Sequence, residues 1–467
     1  MVAALAAAAA PAEEARPKLP EEILSLVGLA GASPPELAAD ALLRAAESRL
    51  VPEPALKRQL IEDAFRLSGS AVNRMLRRPM PRLSPDTRTG SAGRAARLKL
   101  DALSLQCRAV RAMLAVDKAR ARELFSELPP PAPPPLTCED SLIWDPSDYY
   151  ATLAQVAGQT FSPAERRKQQ HLVFFRRRIS GLVSPSQVPA VAREIAGLKL
   201  AAGERDLLAA GLASALDTIA PDPRSHLFHA EDAEREIEKL AASLAVESPA
   251  VSEVVKAAFR KYAAGQLSAG QCAEADVLDI GALLRRRAGE QAGAAAPSRE
   301  AKLHHYWTSP QAKALAERAL KLRWGPQGTP ERMLAEDERR KPEWQSQLAE
   351  VLNLMDSWRA APEETEPDFY HQRAILYQAL IDVTPPGQTH DNLVRNFVSF
   401  VANSNLQREA PVEWLYHTLD LLDRLQSPGG REVLLGELAG SGNPALALVA
   451  GLERVLPPPR LGPPVER

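Results

Sequence analysis

Apolar residues recur three and four positions apart along nearly the whole chain, with Arg, Lys and Glu between them. One such run carries Leu98, Leu100, Leu103, Leu105, Ala109, Val110, Met113 and Leu114, and a second, after Asp117, carries Ala121, Leu124, Phe125 and Leu128. That spacing lays a single apolar stripe along a helix. The proline-rich tract at 129–135 stops the second run, because proline has no N–H to donate and its ring collides with the preceding turn. A further helix is expected from about Ser147 to Ala157, so the unit reads as helix, rigid spacer, helix.

The same motif repeats in both directions. Helices are expected over 36–50 and 55–67, joined through Pro52-Glu53-Pro54, then over 184–200 and 204–219, and over 231–244 and 249–263. Later stripes fall at 309–322, 344–358, 369–380, 389–402, 411–425 and 444–455. Helices joined by a few residues pack antiparallel. Alternating runs of Val, Ile and Thr are almost missing, so strands have no support. The expected fold is all-α: serial antiparallel helix pairs, arranged as an irregular α-solenoid or as two stacked helical domains. The pairs recur at roughly 30 to 45 residues, within the range of helical-repeat arrays. No tetratricopeptide or ankyrin signature accompanies them.

Composition shifts mark the expected organisation. Residues 1–17 read as a disordered or residual targeting segment, 18–288 as an N-terminal helical-pair domain and 301–456 as a C-terminal helical domain. The linker at 289–300 is poor in bulky side chains and buries too little apolar area to offset its ordering entropy, and 457–467 form a loose tail. The first ten residues are apolar and alanine-rich but lack a basic start, which leaves secretion or the periplasm balanced against the cytoplasm. No stretch is long and charge-free enough for integral membrane insertion.

Charge narrows the picture further. With 57 basic and 59 acidic side chains the net charge is −2, so no whole-protein field draws in nucleic acid or acidic lipid. The local exception is 74–99, where Arg74, Arg77, Arg78, Arg82, Arg88, Arg94, Arg97 and Lys99 face one acid, Asp86. Arg74, Arg77, Arg78 and Arg82 are candidate binding residues for an anion or an acidic partner. The plainer reading is a solvated loop whose arginines pair with acidic helix faces. Stacking aromatics are missing from this stretch, which weighs against single-stranded nucleic acid. A second basic stretch, 163–179, flanks Leu172, Val173, Phe174 and Phe175 with arginines; those phenylalanines are expected to fill the interior rather than meet a membrane surface.

Aromatics supply the other candidates. Trp144 with Tyr149 and Tyr150 form one cluster, and Tyr370 and Tyr377 stand seven apart on one helical side. Both groups suit the wall of a peptide or sugar groove, or the completion of a core layered with small alanines. His226-x-x-His229 near Glu231 comes nearest to a metal pattern, yet it follows Pro221-Asp222-Pro223 and is expected to be a solvated loop. His304-His305 beside Tyr306-Trp307 reads as an aromatic helix cap. Cys107, Cys138 and Cys272 are too few for a disulfide framework; a 107–138 bridge requires the chain to double back, and separately buried thiols are the expectation. Cys272 lies among Glu274, Asp276 and Asp279, which disfavour a thiolate.

No phosphate-binding glycine loop, nucleophile elbow or four-cysteine zinc pattern occurs, and no metal or cofactor is expected. The leading functional expectation is a non-catalytic scaffold or protein- or peptide-binding protein with a concave or interdomain surface. A helical enzyme acting on a polymer in an interhelical cleft is the first alternative. Nucleic-acid or anionic-ligand binding through 74–99 is the second.

Overall fold

A computed structural model describes residues 19–79, 97–137, 140, 142–268, 307, 309–325, 334–362, 364–409, 412–425 and 428–457. The fold is all-α, with 21 α-helices and a single two-stranded ribbon among the described residues. The first half comprises α1 (Glu21–Ala30), α2 (Pro35–Glu47), α3 (Pro54–Ser68), α4 (Ala102–Leu114), α5 (Lys118–Glu127) and α6 (Ser147–Gln159). A short α7 (Pro163–Arg167) leads into α8 (Gln170–Ile179), α9 (Val188–Gly197), α10 (Ala202–Leu216), α11 (Pro223–Ala245) and α12 (Pro249–Ser268). The second half holds α13 (Pro310–Trp324), α14 (Glu336–Arg339), α15 (Pro342–Ser357), α16 (Glu366–Val383) and α17 (Gln388–Ala402). It ends with α18 (Leu406–Glu409), α19 (Tyr416–Arg424), α20 (Pro428–Gly440) and α21 (Pro444–Val455).

Starts and stops follow side-chain chemistry. Asp101, Asp117, Asp222, Ser309, Thr365 and Asn443 each accept a hydrogen bond from a first-turn amide of the helix they precede. Ser162 and Glu165 form a reciprocal capping box at α7. Within the basic stretch 163–179, Gln169 adopts a left-handed φ of 55° and divides α7 from α8. Pro223 is not a breaker: it occupies the first turn of α11, where the missing N–H costs nothing.

The ribbon is the one described departure from helix. β1 (Leu76–Pro79) runs antiparallel to β2 (Leu142–Asp145), placing Arg77 opposite Trp144 and Arg78 opposite Ile143. The loop expected beyond Pro79 lies mostly outside the described residues.

Packing proceeds from neighbour to neighbour and then returns. α2, α3 and α4 pack together, α4 meets α5 and α6, and α6 meets α8 and α9. α9 carries the array to α10 and α11, and both of these pack on α12. In the second half α16 contacts α13, α17 and α19, while α17 leads through α20 to α21. α21 then packs on α1, whereas units of a strictly linear array touch only sequence neighbours. A Cβ at Gly451 would stand 2.6 Å from Leu26 Cδ2, so the hydrogen side chain is what permits that closeness. One contiguous apolar core runs from Ile23 to Leu456 and joins both halves. The linker expected at 289–300 lies outside the described residues.

Charged seams close the helix faces around this core. Buried Asp40 takes Arg44 at 2.9 Å and Arg108 at 2.6 Å, and Arg108 also meets Glu47. Burial alone would raise the Asp40 carboxyl, but the two guanidinium groups outweigh it and hold the group below its usual range.

Candidate functional site

The arginine and aromatic candidates meet at the ribbon. Arg77 lies over the Trp144 ring at 4.9 Å and 3.6 Å from Asp140, and Arg78 is 3.6 Å from Asp145. Arg74 donates to the Gly69 carbonyl at 3.0 Å. Arg82 lies outside the described residues. The three described arginines are thus engaged by the chain itself, Arg77 and Arg78 by acids on and beside the ribbon rather than on helix faces, and Arg74 by a backbone carbonyl.

Tyr149 and Tyr150 are core residues and cannot line a groove, since both are fully buried. Tyr149 packs on Phe125 at 5.0 Å, and the Tyr150 hydroxyl accepts from Gln187 Nε2 at 2.8 Å. Burial pushes the Tyr149 hydroxyl up to about 12 and the Tyr150 hydroxyl higher, so both stay neutral. Adjacent positions on a helix point in different directions, but α6 is enclosed by α4, α5, α8 and α9 and presents little free surface there.

Tyr370 and Tyr377 do share one side of α16, and that side faces a groove. α16 contributes Glu366, Phe369, Tyr370, Arg373 and Tyr377, which follow helical spacing. α17 contributes Asn396, Ser399, Phe400 and Asn403, with Ser404 and Asn405 just past its end. The cavity measures about 550 Å³, and Asp356 of α15 closes one edge. Both tyrosines form its floor. The Tyr370 hydroxyl donates to the Trp414 carbonyl at 2.7 Å, and its ring stacks on Phe400 at 5.1 Å with planes 21° apart. Tyr377 lies 5.5 Å from Phe400 and 6.1 Å from Phe397. Their burial makes them supports for Phe400 and Arg373, which reach the open side.

Arg373 is the residue the sequence reading passed over. Its guanidinium lies 5.5 Å from the Phe400 ring and 6.0 Å from Tyr377, and its Nε has no hydrogen-bond partner. The nearest carboxylate, Asp356, is 4.0 Å away on a side chain that is 74% exposed. The faces of the Phe400 and Tyr377 rings attract the guanidinium, whose Nε is buried beside them. Asn396 and Asn405 make no side-chain hydrogen bond among the described residues, whereas the Asn403 amide donates to the Ser399 carbonyl at 2.8 Å.

Two buried histidine pairs complete the polar inventory. His226 and His229 are not on a solvated loop: both lie in the first two turns of α11 and are buried. His226 meets the Tyr262 ring edge-on at 5.4 Å, and His229 Nε2 has no partner. Burial lowers both to about 4, and Arg78 adds to the effect at His229. Among the described residues no group of three or more His, Cys, Asp or Glu is arranged to hold a metal ion. The second pair was not anticipated. His371 Nδ1 of α16 and His417 Nε2 of α19 are hydrogen-bonded at 2.9 Å in a closed interior. Cys107 is a buried free thiol whose ionisation burial pushes up to about 12, which removes it as a nucleophile. Cys138, Cys272, His304 and His305 lie outside the described residues.

Compared with other proteins, the chain matches no family model, no curated protein and no solved structure.

Proposed function

We propose that the protein is a non-catalytic binding protein that takes an extended polypeptide segment along the α16–α17 groove. From Glu366 to Tyr377 the groove follows eleven helical steps, about 16 Å, which is the span of about five extended residues. Asn396 and Asn403 stand seven steps apart, about 10 Å, or about three extended residues. A side-chain amide both donates and accepts; among the described residues Asn396 has both groups open, and Asn403, whose N–H groups go to Ser399, keeps its oxygen to accept a main-chain N–H. Arg373 would take a carboxylate of the bound segment, and Phe400 with Phe369 would meet an apolar side chain beside it.

The observation that carries this reading is the setting of Arg373: it is cradled by rings, only loosely met by one exposed acid, and lies in a groove whose other polar lining is Glu366 at one end and the amides and hydroxyls of Asn396, Ser399, Asn403, Ser404 and Asn405. Selection of a random peptide library on the purified full chain tests it. Peptides with an acidic residue next to an aliphatic or aromatic one are expected to be enriched. The Arg373→Ala variant should bind them about tenfold to a hundredfold more weakly, the loss of one charge-assisted contact. Failure to enrich any peptide, or equal binding by Arg373→Ala, overturns the proposal.

A further inference from the structure

We infer that the outer face of α8, with the adjoining α7 end, is a docking surface for an anionic lipid bilayer. This face is separate from the α16–α17 groove and does not depend on the peptide-binding reading.

α8 is buried along one side only. His171, Leu172, Phe175 and Ile179 turn inward. Val173, Arg176, Arg177 and Ser180, spaced at three, four and seven steps, share the opposite side and are exposed. Arg167 and Lys168 just ahead of α8 are exposed as well. None of Arg167, Lys168, Arg176 and Arg177 makes an ion pair among the described residues. Other arginines behave differently: Arg120 meets Glu62, Glu123 and Glu127, and Arg108 meets Asp40 and Glu47. The acids around this face are engaged elsewhere: Glu165 pairs with Arg122 at 2.9 Å, Glu123 and Glu127, which line a cleft with Val173 and Arg177, pair with Arg120, and Glu204 caps α10 by accepting from the Ala201 amide at 3.1 Å.

Apolar side chains accompany these cations. Val173, between Arg176 and Arg177 on the outer face, is 65% exposed. Leu207 on α10 and Val183 just past α8 are also exposed, at 43% and 47%. α10 packs directly on α8, where a Cβ at Gly211 would lie 3.7 Å from Arg176 Cγ. Unpaired guanidinium and ammonium groups around exposed aliphatic side chains match the interfacial layer of a bilayer, where phosphate and carboxylate headgroups border acyl chains. Single-stranded nucleic acid needs free rings for base stacking. The rings here are covered, Phe161 by Arg122 at 4.7 Å and Phe174 by Arg178 at 4.6 Å. No described helix is long and apolar enough to cross the membrane, so the contact is peripheral.

Co-sedimentation of the full chain with vesicles tests this. The vesicles are phosphatidylcholine alone, or phosphatidylcholine with about a third phosphatidylserine. Wild type should partition onto the serine-containing vesicles about a hundredfold more strongly, and salt should weaken the binding. Arg176→Glu with Arg177→Glu should lower that partitioning roughly thirtyfold or more. Val173→Asp should lower it several-fold, and neither variant should change the circular dichroism or the melting midpoint, because all three side chains are exposed. No partitioning by wild type, or unchanged partitioning by the double variant, overturns the inference. So does binding of polyadenylate or polyglutamate under conditions in which the vesicles stay unbound.

Discussion

The two buried histidine pairs show opposite ways of placing the same side chain in an interior. His226 and His229 sit on one helix, three residues apart, and among the described residues neither ring receives a hydrogen bond. His371 and His417 come from helices 46 residues apart and bond to each other, and Gln378 ties the His417 carbonyl to α16 at 2.6 Å. The α11 pair is tolerated because imidazole gives up its charge when desolvated. The α16–α19 pair is fixed by specific partners. Spacing in sequence puts two rings on one face; only tertiary packing provides what each nitrogen bonds to.

Acid should produce the largest effect, and it acts on the α11 pair. The folded value of each ring, about 4, is below the ordinary 6.5, so the unfolded chain binds protons first as the pH falls. The stability these rings contribute is therefore complete above about 6.5 and is lost as pH falls towards 4, amounting to about 3 kcal/mol for each buried ring. Urea unfolding measured between neutral and mildly acidic pH should show this slope. His226→Phe with His229→Leu should flatten it, and an unchanged slope would contradict the assignment. Breaking the other pair ranks next. His417→Ala removes a fully buried ring and leaves His371 Nδ1 without its bond, at a cost of about 3 kcal/mol in the same assay at neutral pH. A loss below about 1 kcal/mol would mean that the bond holds little.

The hydroxyls beside the two pairs sharpen the contrast at smaller scale. Tyr370 donates to the Trp414 carbonyl, whereas the buried Tyr262 hydroxyl beside His226 has no partner. Tyr370→Phe should therefore destabilise by about 1 to 2 kcal/mol, while Tyr262→Phe should be neutral or slightly stabilising. Equal losses would erase the distinction between a satisfied and an unsatisfied interior.

How much of this was readable beforehand follows from the same distinction. The stripes of Leu and Ala located most helices because burial of one face dictates them, and the seven-residue interval put Tyr370 and Tyr377 on one side of α16. Prolines misled the reading at α11: Pro223 looked like a stop, but Asp222 accepts from the Ser225 amide at 3.0 Å and the helix starts there. Tyr149 and Tyr150 carried no local mark of being enclosed on all sides. The ribbon pairs residues more than sixty positions apart, and the two strands are only four residues each, too short for a visible alternation. Arg373 was legible in principle, three steps from Tyr370 and four from Tyr377, but its importance comes from Phe400 on the next helix.

Site-specific photo-crosslinking locates a bound peptide on the protein surface. A benzophenone side chain is placed at Ser399, on the exposed rim of the α16–α17 groove, or at Val254, exposed on α12 away from the groove lining. With a library-selected peptide bound, irradiation should give a covalent adduct from position 399, abolished by Arg373→Ala, and none from position 254. An adduct from 254 but not 399, or one at 399 that is indifferent to Arg373, would contradict the account.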